Sequence, residues 1–151
     1  MPTKRTFFVS LLLLGLTEQS GFARTTVLLT GVQSNGVASD RVEQAIVMRL
    51  KRLGDTVIVT PRYPIGSEYV GCDESRCFEP IASRETADYF ISGRVTSSEH
   101  ARLARIAIYS TARKEVIAEE VGCEDCHEKA IVDHVASLAT SLLAKAVSLP
   151  A

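Results

Sequence analysis

The stretch from Thr25 to Thr60 constrains the fold most, because it reads as strand, helix and strand in succession. "TTVLLTGV" (Thr25 to Val32) has the continuous apolar centre of a strand buried on both faces. After the loop "QSNGVAS", Asp40 is placed to cap a helix, with Glu43 three residues on completing a capping box. Val42, Ala45, Ile46, Leu50 and Leu53 then share one helical face, and Gly54 supplies the C-cap. "DTVIVT" (Asp55 to Thr60) is a second apolar strand, ended by Pro61 and Pro64. A strand–helix–strand unit of this length makes its two strands parallel and its crossover right-handed.

The remaining order follows from periodicity. A loop from Arg62 to Arg76 leads to a short helix from Cys77 to about Glu85, limited by Pro80. "ADYFISGRV" (Ala87 to Val95), "ARLARIAIYS" (Ala101 to Ser110) and "KEVIAEEV" (Lys114 to Val121) are three strands joined by short polar loops, hence an antiparallel meander. In the middle strand Ala104, Ile106 and Ile108 face one way and Arg105 the other, so one side is partly wet. A long helix from Asp125 to Ser148 follows, with Ile131, Val135, Leu138 and Leu142 as its apolar stripe. The order βαβαβββα predicts an α+β fold: a mixed sheet with a parallel βαβ start and helices packed on it.

The amino terminus reads as a cleaved export signal. Lys4 and Arg5 precede a ten-residue apolar run, "FFVSLLLLGL", too short for a membrane span. Gly21 and Ala23 fit a cleavage site after Ala23, leaving residues 24–151 as a single domain with no further long apolar segment. No cysteine stands where lipid attachment would need one. With 17 Lys and Arg against 18 Asp and Glu, no basic character points to nucleic acid.

All four cysteines lie in the exported part, as Cys72-x4-Cys77 and Cys123-x2-Cys126. Four readings compete. Two local disulfides, pinning the loops that feed the second and third helices, suit an oxidising compartment and are the expectation, although cross-pairing stays open. Cys123, Cys126 and His127 also match the CxxCH attachment of a c-type haem. That would need a second axial ligand, and His134, seven residues past His127 on one helix, lies about 10 Å along the axis. A redox CxxC at a strand-to-helix junction is the third reading, with Glu124 and Asp125 disfavouring the thiolate. Zinc, the fourth, requires both pairs to converge. Asp125 is expected to cap the last helix. No G-x-S-x-G and no phosphate-cradling glycine loop occurs, so no catalytic residue, cofactor or metal is expected. Tyr63 and Tyr69, in the loop before Cys77, are the candidate partner contact.

The order of elements and "TADYFISGRV" (Thr86 to Val95), followed by "RLARIAIYS", resemble the amino-terminal domain of TolB and the periplasmic domains of CsgG and the penicillin-binding-protein activators. Asp88, Tyr89, Ile91, Gly93 and Val95 carry the match. Thr86 stands where the family often has glycine, and "STARKE" replaces an Asp-x-x-Thr-Gly turn. The TolB propeller is absent. The resemblance implies a non-enzymatic envelope domain that works by contacting another protein.

Overall fold

The computed structural model describes residues 25–59 and 69–150. The signal reading, the cleavage site and Tyr63 fall outside them. The elements are β1 (Thr26–Ser34), α1 (Ser39–Arg52), β2 (Thr56–Val59), α2 (Ser75–Ala82), β3 (Tyr89–Ser97), β4 (Ala101–Ser110), β5 (Glu115–Glu124) and α3 (Glu128–Ser148). They form one five-stranded sheet in the order β2-β1-β3-β4-β5. β1 runs parallel to both β2 and β3, and β3, β4 and β5 form the antiparallel meander. The predicted α+β order and mixed sheet are what the chain adopts.

The two crossovers lie on opposite faces. α1 and α3 cover one face and bury Val27, Leu29, Ile91, Ile106 and Ile108 against Val42, Ile46, Leu50, Ile131, Val135 and Leu142. α2 covers part of the other, where Leu28, Phe90, Ala107 and Tyr109 meet Phe78, Ile81 and Cys72. α3 is long and apolar enough to cross a membrane by length and composition, a point missed in the sequence. Its stripe is spent on the core, packed against β4 and β5.

Local chemistry explains the element ends. α1 closes in a Schellman motif: Gly54 at φ 89° donates to the Lys51 carbonyl and Asp55 to that of Leu50. The chain then turns away, which leaves Leu53 68% exposed rather than on the buried stripe. The expected capping box does not form. Asp40 lies inside the helix, and the N-cap is Ala38 without a side-chain bond. Glu43 instead accepts the Val32 N–H at 2.9 Å. The register of β1 on β3 shifts between Leu29 and Gly31, and a bulge of this kind takes backbone groups out of the ladder. Asp125 also fails to cap: α3 starts after His127, and Asp125 sits in the preceding turn at φ 49°. In the β4–β5 turn, Lys114 takes the left-handed conformation, φ 55°.

β5 is an edge strand among the described residues. On its helix-covered face Glu119 is half-buried and accepts a 2.9 Å bond from Lys145 of α3. An inward-pointing charge on an edge strand discourages another chain from adding there.

Candidate functional site

Cys72 is bonded to Cys77 and Cys123 to Cys126, with Cα separations of 5.9 and 5.8 Å. The pairing is therefore local. The bridges lie on opposite faces of the sheet, Cys72 in the α2 core and Cys123 and Cys126 against the α1–α3 core. The four cysteines thus do not converge into a zinc site, and among the described residues no group of three or more His, Cys, Asp or Glu could hold a metal. β5 extends to Glu124, three residues past its expected end, so Cys123 belongs to the strand and Cys126 to the turn before α3. The cavity beside Cys126 measures about 80 Å³, room for water and not for a porphyrin. With the two sulfurs joined to each other, neither is available for a thioether. His127 is the exposed N-cap residue of α3, and His134 is exposed about two turns further on.

Tyr69 packs as a half-buried ring beside the α2 core. The Arg84 guanidinium lies 5.7 Å over it and donates to its hydroxyl at 3.1 Å. Those contacts hold the loop to the C-terminal end of α2. Tyr109 lies deeper, stacked on Phe78 at 5.5 Å, and burial, then the Glu79 carboxylate, raises its hydroxyl above the ordinary pKa.

The topology creates a second site. Strand order reverses at β1: α1 carries the chain to β2 on one face, and α2 returns it past β1 to β3 on the other. In open parallel sheets a crevice forms beyond the carboxyl ends of the strands at such a reversal. Here it is a cavity of about 420 Å³ lined by Gln33, Ser34 and Asn35 at the end of β1 and Arg94, Val95 and Thr96 at the end of β3. Asn35 braces it, donating its N–H to the Val95 carbonyl at 3.1 Å and accepting the Ser97 N–H at 2.6 Å.

The crevice opens onto the half of the sheet that α2 leaves uncovered. Gln33, Arg94, Thr96, Leu103 and Glu120 are exposed there, and Arg105 is half-exposed. Arg94 and Arg105 are cross-strand partners, and like charges directly opposite repel. Arg105 is compensated by Asp73 at 3.4 Å and Glu120 at 3.2 Å. Arg94 has no carboxylate partner among the described residues; it donates to the Gly71 carbonyl at 3.3 Å. The alternation in "ARLARIAIYS" signalled the wet side, but nothing in the sequence announced the Arg94–Arg105 register.

No protein-family model matches this sequence, and no curated protein matches it. The fold is shared with solved structures at low identity. A PelC dodecamer (L103M) from Paraburkholderia phytofirmans is similar at TM-score 0.53 and 12% identity, covering 76% of this chain and 85% of that one. Lipoprotein GNA1162 from Neisseria meningitidis is similar at TM-score 0.52 and 10% identity, over 83% of this chain and 99% of that one. TolB from Acinetobacter baumannii is similar at TM-score 0.50 and 5% identity, over 83% of this chain but 28% of the larger protein. The chain therefore has the α+β fold found in lipoprotein GNA1162, in PelC and in part of TolB.

Proposed function

We propose that this chain is an exported accessory module of the cell envelope that binds a protein partner through the half of its sheet that α2 leaves uncovered. The observation that carries the reading is the pairing of Arg94 with Arg105 across β3 and β4 on that exposed face, with no carboxylate on Arg94 among the described residues. An arginine held in place by a strand, with a donor to spare, is a preorganised anchor for a partner's acidic or carbonyl groups. Export is supported by the signal-like amino terminus and by two disulfides, which persist in oxidising compartments. The same fold in a lipoprotein and in TolB supports the envelope setting. The finer likeness to CsgG and the penicillin-binding-protein activators rests on "TADYFISGRV" and the strand that follows it.

Self-association is a second reading, favoured by the dodecameric state of the PelC structure of the same fold. Charge reversal addresses the first. Arg94→Glu, expressed in the native envelope, is expected to lower recovery of the partner in cross-linked complexes about tenfold while leaving the thermal midpoint unchanged, because Arg94 is exposed. Undiminished recovery would remove Arg94 from the interface. Sedimentation of the purified protein distinguishes a second copy from a different partner.

A further inference from the structure

The cross-strand partner of Cys123 is Arg102. Directly opposed residues of an antiparallel pair project from the same face, so the guanidinium lies on the side of the sulfur. Its Nη1 is buried and has no hydrogen-bond partner among the described residues. A buried donor left unmade costs free energy in the resting protein. Beside a cysteine it favours the thiolate over the thiol.

The acidic residues of the motif do not oppose this. Glu124 follows Cys123 on the strand and projects from the other face. Asp125 is exposed, with its N–H donated to the His100 carbonyl at 2.8 Å and its carboxylate 3.7 Å from His100 Nδ1. Glu128 is drawn to Arg41 at 3.5 Å, and Glu99 is exposed in the β3–β4 turn. Cys126 and Arg102 line the same small cavity, together with His100. Both sulfurs of this bridge belong to half-buried residues, whereas Cys72 in the other bridge is 4% exposed.

We propose that Cys123–Cys126 is a thiol–disulfide exchange site, with Arg102 stabilising the Cys123 thiolate that reduction releases. The reductant is a dithiol on a protein. One of its thiolates attacks Cys126 Sγ, the intramolecular S–S bond breaks, and its electron pair leaves on Cys123 beside Arg102. The second partner thiol loses its proton to water and attacks the partner sulfur of the mixed disulfide. Cys126 then leaves and takes up a proton. The partner ends as a disulfide and this chain as one thiolate and one thiol, a transfer of two electrons. The leaving thiol of lower pKa departs faster, which assigns attack to Cys126 and departure to Cys123. Arg102 acts as a positioning residue, through the sulfur.

The test needs no physiological partner. The purified protein is equilibrated with dithiothreitol over a concentration series, and each bridge is read separately by alkylation and peptide mass. Cys123–Cys126 is expected to open at a reductant concentration at least tenfold lower than Cys72–Cys77. In the reduced protein Arg102→Met is expected to slow iodoacetamide labelling of Cys123 at pH 7 about tenfold, and Arg102→Lys to restore it. A change in folding alone would not be rescued by lysine with this pattern. Opening of both bridges together, or labelling of Cys123 indifferent to Arg102, overturns the proposal.

Discussion

Phe78→Ala is expected to lower the unfolding free energy by about 3–5 kcal/mol, the range for a fully buried phenylalanine. Phe78 is fully buried and stacks on Tyr109 at a ring separation of 5.5 Å, with Phe90 tilted against the same tyrosine at 6.3 Å. This second core is small, and α2 brings only Phe78 and Ile81 to it as buried residues. Deleting the ring removes half of that anchor and opens a cavity that the rigid strands β1, β3 and β4 cannot close. Urea unfolding measures it. The Cys72–Cys77 bridge keeps the loop near the sheet and does not replace the lost contacts. A loss under about 1 kcal/mol would mean that α2 contributes little to holding the sheet's second face.

Gly36→Val is expected to cost about 2–4 kcal/mol, by two mechanisms that add at one position. Gly36 has φ 71°, where a β-branched residue is strained. A Cβ there would also stand 2.8 Å from the Ser97 Cβ, with the strand behind it. Gly36 is what lets the β1–α1 loop lie against the end of β3. Forcing them apart strains the Asn35 bonds to Val95 and Ser97 that brace the crevice. The same urea series reads the cost, and Gly36→Ala should fall short of valine because alanine tolerates left-handed backbone better. Equal midpoints for valine and wild type would show that the loop carries no such constraint.

What the sequence made legible was local or periodic. The glycine after "MRLKRL" and the apolar spacing of Val42, Ile46 and Leu50 specify a helix and its stop within a few residues, and both are found. The strand alternation around Arg105 foretold one wet side. What it left obscure depended on partners far along the chain. Glu43 has the spacing of a capping residue, but β1, eleven residues away, presents it with the Val32 N–H, and a long-range bond displaced the local one. Cys123 looked like loop because its own neighbours are polar. It is strand because Ala101, Arg102 and Leu103 of β4 need partners there. The half-sheet that α2 does not reach and the meeting of Arg94 with Arg105 come from register and from how far α2 extends, neither of which a single sequence specifies.

In the proposed function, another protein occupies the half of the sheet that α2 leaves uncovered. A photo-activated cross-linking residue placed at Thr96, exposed beside Arg94, tests it in the envelope of the producing cell, with the same residue at Ala144 on the exposed side of α3 as control. A discrete adduct is expected from Thr96, abolished by Arg94→Glu, and none from Ala144. Adducts from Ala144 alone, or from neither position in a protein that remains folded, would contradict it.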